Sequence, residues 1–207
     1  MEKLTVLFQG DSITDMGRDR SNIRDMGNGY PLFVASNFRA AYPKLNVDFL
    51  DLGVSGDRVS DLRARWQEDC LELRPDVLSV LIGINDTWRR YDSGVVSDIG
   101  EFEKTYRSLL EDARRENPEL KIIIMEPFVL HTSDERASWR EDLDPRIQAV
   151  RRVAADYADA FVPLDGIMTA AAIDTCPEQW AADGVHPTHD GAALIAQHWL
   201  EAFEKIM

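Results

Sequence analysis

Five short apolar runs punctuate the chain: LTVLF (4–8), VDFLDL (47–52), DVLSVLIG (76–83), KIIIM (121–125) and AFVPL (160–164). They are rich in β-favouring residues, and several are apolar at consecutive positions, as strands of a parallel sheet covered on both faces must be. Amphipathic stretches fill the gaps. Pro31 suits a first helical position and predicts a helix over 31–41. Val59, Leu62, Trp66 and Cys70 share one face of a helix over 59–73, while 98–116 and 138–158 read as long helices with charge facing outward. The last helix is the plainest: Thr188 is an N-cap, and Ala192, Ile195, Trp199, Ala202, Phe203 and Ile206 recur every three to four residues. Residues 15–29 and 86–98 read as loops. Strand and helix in alternation predict right-handed βαβ crossovers and a three-layer α/β/α sandwich around a central parallel sheet of about five strands. No linker, repeat or low-complexity tract interrupts the pattern, which predicts a single domain over 1–207.

Composition narrows the partners. With 44% hydrophobic and 29% charged residues the chain is globular rather than disordered. No run approaches the length of a membrane span, and the start MEKLTVLFQGDS lacks the basic region and apolar core of a signal peptide, so the cytoplasm is the expected location. A net charge of −14 disfavours phosphate backbones and anionic lipid, so neither nucleic acid nor membrane is an expected partner and a neutral small molecule is. Cys70 and Cys176 are far apart and read as two reduced thiols, Cys70 on the apolar face of its helix. A homo-oligomer stays open.

In open parallel sheets the reactive groups gather beyond the carboxyl ends of the strands. The first run is followed by Gly10-Asp11-Ser12, the second by GVSGD with Gly56, and the third by GIND with Asn85; DGVHP, with Asp183 and His186, precedes the last helix. Together these supply what ester hydrolysis at neutral pH requires. Ser12 is the candidate nucleophile, His186 its base, and Asp183 the acid that orients the base. The backbone N–H groups of Ser12 and Gly56 and the side-chain amide of Asn85 are candidate donors to the oxyanion; a residue without Cβ lets the backbone approach a ligand closely. Pro187 keeps His186 out of the helix that follows.

Each piece alone has a plainer reading. Gly-Asp-Ser after a strand is commonly a turn with a serine N-cap, SGD is a common turn, Asn85-Asp86 suits an Asx turn or helix start, and a lone histidine is commonly structural. Trp66 reads as core. The joint pattern outweighs these readings, because all four pieces fall where a single site needs them. A metal reading of Asp183, His186, His189 and Asp190 competes for DGVHPTHD, but HEXXH and a third His or Cys cluster are missing, and His189 reads better as a first-turn helix residue. No metal or cofactor is expected. A nucleotide or flavin binder would share the architecture, yet no glycine loop of GxGxxG type opens the first helix. A carbohydrate-binding protein without activity would be expected to lack one of the catalytic groups, and all of them are here.

The blocks GDSIT, GVSGD, GIND and DGVHP resemble those of the SGNH hydrolases, also called GDSL esterases. That resemblance implies a flavodoxin-like α/β/α fold, a nucleophile at Ser12, oxyanion groups at Gly56 and Asn85, and acid and base at Asp183 and His186. The family's second block usually begins with Asn, where this chain has Asp51, so a different brace for the turn around Gly56 is expected. GDSITDMGR, VSGDRVSDLRARWQED and LIGINDTWRRYD resemble more closely the intracellular serine acetylxylan esterases of that family. The expected activity is removal of acetyl or other short acyl groups from carbohydrate, acetylated xylo-oligosaccharides first, with a thioesterase or lysophospholipase as the alternative. Trp88, Arg89, Arg90 and Tyr91 follow Asn85 and are expected either to shape the pocket mouth or to lie at the surface or in a subunit contact; Asp11, Trp88 and Tyr91 are the expected substrate contacts.

Overall fold

The computed structural model of the protein describes residues 3–207. Strands β1 (Leu4–Gly10), β2 (Val47–Asp51), β3 (Val77–Leu81), β4 (Lys121–Met125) and β5 (Ala160–Val162) form one parallel sheet in the order β2-β1-β3-β4-β5. This is the flavodoxin-like order, whose direction reverses between β1 and β3 and leaves a crevice beyond their carboxyl ends. The five expected strands are all present: β1 runs two residues past its apolar run, to Gly10, and the other four lie within theirs.

Period-two alternation divides the core between two faces. Val6, Phe8, Val77, Ile123 and Met125 pack with Val34 and Phe38 of α2 (Tyr30–Ala41) and with Ile195, Trp199 and Phe203 of α10 (His189–Glu204). Leu7, Leu78, Val80, Ile122 and Ile124 face Leu62 of α3 (Val59–Ala64), Leu109 of α5 (Ile99–Glu116) and Val150 and Val153 of α7 (Arg140–Tyr157). Burying Ile195 or Phe203, each with almost no exposed surface, contributes about 1.5–3 kcal/mol. The indole N–H of Trp199 enters the core without cost because it donates to Ser79 Oγ at 2.8 Å.

Caps explain the helix starts. Thr188 Oγ1 accepts from Gly191 N–H at 3.2 Å and Asp98 Oδ1 from Glu101 N–H at 2.9 Å, satisfying donors that the first turn leaves free.

The structure corrects the sequence reading in two places. The expected helix over 59–73 is broken: α3 ends at Ala64 and a π-helical turn follows over Gln67–Leu71. There the Gln9 side chain donates to the Asp69 carbonyl at 2.6 Å, a bond from the sheet to the widened turn that periodicity does not reveal. Residues 86–98 begin as a helix, α4 (Ile84–Asp92), rather than a loop. Its first four residues are all buried and include Asn85, Asp86 and Thr87, so polar positions point inward and the amphipathic pattern is inverted. Three helices had no counterpart in the sequence reading: the short α6 (Asp134–Ser138) before α7, and α8 (Leu164–Asp174) and α9 (Pro177–Trp180) after β5. Among the described residues no helix is long and apolar enough to cross a membrane.

Candidate active site

The Gly-Asp-Ser segment turns directly from β1 into α1 (Ser12–Asp15), so Ser12 stands at the first helical position beyond the sheet. Asp11 caps this turn, its Oδ1 accepting the Ile13 N–H at 3.0 Å. That side chain is fully buried, which corrects the expectation of Asp11 as a substrate contact: it shapes the serine turn from beneath. Burial pushes its carboxyl up to about 7, against the Ile13 hydrogen bond.

A lattice of polar contacts draws the separate loops to one place. Asp15 Oδ2 accepts the backbone N–H of Ser55 at 2.9 Å and its hydroxyl at 2.6 Å, and Val54 N–H donates to the Gly10 carbonyl at 3.1 Å. Arg65 reaches Asp57 at 2.7 Å and the Gly10 carbonyl at 3.3 Å, tying the second loop back to the first. Asp86 accepts from Val59 N–H at 3.0 Å and from the Ser97 hydroxyl at 2.9 Å. Asp51, where the resembled pattern carries Asn, still accepts the Gly53 N–H through Oδ1 at 2.8 Å. Arg18 completes this brace: its Nε donates to the Gly53 carbonyl at 3.0 Å and lies 3.8 Å from Asp51. Burial pushes the Asp51 carboxyl up to about 8, opposed by the Gly53 hydrogen bond and the Arg18 charge.

Inside this frame the candidate residues meet. Ser12 Oγ lies 2.9 Å from His186 Nε2, and His186 Nδ1 lies 2.7 Å from Asp183 Oδ2. A carboxylate only accepts, so Nδ1 carries the proton and Nε2 is free to accept from the serine hydroxyl. The other carboxylate oxygen of Asp183 takes the N–H groups of Val185 and His186 at 2.9 and 2.7 Å. Burial raises the Asp183 carboxyl, but its hydrogen bonds to the His186 ring and to these two N–H groups outweigh that and hold it well below the usual carboxylate range. The hydrogen bond to Asp183 in turn raises His186 above its ordinary value, against desolvation. The His186 side chain is 37% exposed, so a substrate can reach it. Gly184 makes this turn possible: at φ +84° a Cβ would sit 2.6 Å from the Leu130 carbonyl oxygen.

Asn85 is almost wholly buried, and its Nδ2 donates to the Asp57 carbonyl at 3.1 Å, which fixes the amide while leaving its second hydrogen free. Gly56 adopts φ +92° in the loop just before Asp57, with Arg89 Nη2 3.6 Å from where a Cβ would stand. The Trp88 ring, half-buried, lies 5.7 Å from the His186 ring. Tyr91 is stacked on Trp139 at 5.4 Å and donates its hydroxyl to the Ser138 carbonyl at 2.9 Å, so it braces the rim. His189 opens α10 and Cys70 is a buried thiol, as expected. Among the described residues no group of three or more His, Cys, Asp or Glu side chains could hold a metal ion.

Sequence reasoning missed Asp15, Arg65 and Arg136, which hold the loops in place. Asp15 lies within the GDSITDMGR stretch and Arg65 within VSGDRVSDLRARWQED, so a signal was present for those two; Arg136 lies outside every quoted block.

A flavodoxin-like sheet with this constellation at its switch point defines a class, the α/β carboxylic ester hydrolases. Residues 8–194 match the GDSL-like Lipase/Acylhydrolase family, and the chain belongs to it. It is 36% identical over 208 residues to an acetylxylan esterase of Geobacillus stearothermophilus, covering 96% of this chain and 92% of that protein. A GDSL-like lipase from Parabacteroides merdae superposes with a TM-score of 0.92 at 35% identity, covering 99% of this chain and 97% of its own. Two catalytic mutants of the Geobacillus esterase, one with a serine and one with a histidine replaced by alanine, superpose with a TM-score of 0.88 each at 33% identity, covering 98% and 96% of this chain and 94% and 93% of theirs.

Proposed function

We propose that this enzyme removes acetyl groups from carbohydrate, acetylated xylo-oligosaccharides first, through an acyl-enzyme formed on Ser12. The observation that carries the reading is the unbroken hydrogen-bonded line from Ser12 Oγ through the His186 ring to the Asp183 carboxylate. Ser12 Oγ attacks the acetyl carbonyl carbon as its proton passes to His186 Nε2. The backbone N–H groups of Ser12 and Gly56 and the free amide hydrogen of Asn85 meet the oxyanion. Collapse of the tetrahedral intermediate breaks the bond to the sugar oxygen, which takes the proton from Nε2 and leaves as an alcohol. Water then attacks the acetyl-serine as Nε2 takes its proton; collapse breaks the bond to Ser12 Oγ, which recovers that proton as acetate leaves. Asp183 holds the ring in the required tautomer and steadies the imidazolium between transfers. The substrate class is supported by the Geobacillus acetylxylan esterase, whose overall likeness extends across nearly the whole chain. The test is to expose the protein to a serine-directed organophosphonate and to compare hydrolysis of acetylated xylose, acetylated glucose and p-nitrophenyl acetate. Single labelling at Ser12 with preference for the xylo-substrate supports the reading; labelling elsewhere removes the nucleophile, and indifference to the sugar removes the substrate.

A further inference from the structure

We propose that Arg136 is a positioning residue for His186, a role that rests on the acid–base reading above. Both carboxylate oxygens of Asp183 are used within its own loop, on Val185, His186 and the His186 ring. The carboxylate therefore orients the histidine but does not anchor the loop to the body of the protein. Anchoring runs through two main-chain carbonyls. Gly184 O accepts from Leu130 N–H at 2.8 Å, and Asp183 O accepts from Arg136 Nε at 2.8 Å.

Arg136 is itself held on every side. Its guanidinium lies over the Trp139 ring at 4.0 Å and the Trp88 ring at 4.8 Å, and its side chain is only 14% exposed. Its backbone N–H is capped by Ser133 Oγ at 3.2 Å, and Nη1 is 3.2 Å from Glu135. One side chain thus joins α4, through Trp88, to the start of α7, through Trp139, and both to the loop bearing Asp183 and His186. A planar cation that stacks and donates at once does this; an ammonium does not.

The same cation enters the charge balance at His186. The groups acting on the ring are Asp183 from its own loop and Asp11 from the β1–α1 turn, which favour the imidazolium, and Arg136 from α6, which opposes it. Trp88, the neighbour from α4, is uncharged. Arg136 therefore keeps more of the histidine neutral, and available as a base, than the two carboxyls alone would allow.

The experiment compares wild type with Arg136→Met and Arg136→Lys, measuring kcat, KM, the pH profile of kcat/KM, and the titration of the His186 ring by NMR. Folding is checked by thermal unfolding and by the fraction of enzyme that reacts with an organophosphonate. In Arg136→Met, kcat falls about 10- to 100-fold as the base drifts from its attack geometry, KM changes little, and both the acid limb and the ring titration move to higher pH. Arg136→Lys keeps the charge and loses the stacked fork, so it retains the wild-type titration with a smaller loss of kcat. A Met variant with wild-type kcat, or with an unmoved titration, overturns the proposal. If the Met variant does not fold, a Lys variant with full kcat overturns it and one with reduced kcat and unmoved titration supports it. A wild-type enzyme lacking any acid limb linked to His186 overturns the acid–base reading instead, and this proposal with it.

Discussion

Ser12 Oγ and His186 Nε2 lie 2.9 Å apart although 174 positions separate them in the chain. Nothing local creates that contact: it requires β1, the β1–β3 crevice and the start of α10 to be in register. Replacing Ser12 with alanine removes one hydroxyl from a half-exposed position and should leave the unfolding temperature within a degree or two, since substitutions of this kind change stability by less than about 0.5 kcal/mol. Acetyl ester hydrolysis should be lost in the same variant. A Ser12→Ala protein that retains most of its activity would exclude the acyl-enzyme.

The rate should depend on pH through His186. A histidine base acts in its neutral form, and the hydrogen bond to Asp183 raises the His186 pKa above the ordinary histidine value. The acid limb of kcat/KM should consequently bend above pH 6.5, rate rising with pH as the imidazolium is lost. Asp183→Asn removes the charge and should bring the limb down while lowering kcat, because the ring no longer holds the required tautomer. A limb at or below pH 5.5 in the wild type contradicts this assignment.

Asn85→Ala tests the oxyanion site. Its amide is fixed by the Asp57 carbonyl and needs no reorganisation as charge develops. Loss of one such donor lowers kcat by about 10²–10³-fold with little change in KM. An effect confined to KM would make Asn85 a ground-state contact.

Gly184→Ala should cost more activity than stability alone explains. The added methyl would meet the Leu130 carbonyl at 2.6 Å and Thr132 Oγ1 at 2.9 Å in a backbone conformation that resists side chains. Relief of that clash must move the turn between Asp183 and His186. Specific activity per folded molecule should fall at least tenfold, on the order expected when a base is misplaced by a fraction of an ångström to one ångström. A folded variant with wild-type turnover would show that the turn tolerates the shift.

The strands were legible because apolar residues at consecutive positions have few alternatives to a covered sheet, and α10 because Thr188 and its 3.6-residue stripe agree. That Ser12, His186 and Asp183 come together was legible because each follows a strand or precedes that helix. Helix α4 was not, since Asn85, Asp86 and Thr87 face inward to hold loops rather than outward to water, and periodicity reads polar residues as solvent-facing. Asp11, expected as a substrate contact, is fully buried with Oδ1 on the Ile13 N–H, a position that sequence distance does not encode. Arg136 escaped notice because its partners, Trp88, Trp139 and the Asp183 carbonyl, come from three different segments.

Acyl length should separate an acetyl esterase from a lipase or thioesterase. A longer chain gains about 0.8 kcal/mol for each methylene it buries, but only against an apolar surface beside Ser12. Beside His186 stands Trp88, stacked under the Arg136 guanidinium, and Arg89 lies beside Gly56. A cavity of about 460 Å³ with apolar walls lies elsewhere, between residues 129–131 and α8, lined by Val129, Leu130, Ala172 and Ile173 together with the paired Arg140 and Asp165. Neither Ser12 nor His186 lines it. The value of kcat/KM for p-nitrophenyl esters should therefore fall steeply beyond about four carbons, because added methylenes stay in water and gain nothing in the transition state. Among acetate esters of comparable leaving-group reactivity, acetylated xylo-oligosaccharides should be turned over best, since a sugar face can stack on Trp88 beside His186. Faster turnover of the octanoate, or of an acyl-CoA, than of the acetate would mean that the 460 Å³ cavity opens to the serine and that the enzyme is an acyl hydrolase of longer chains.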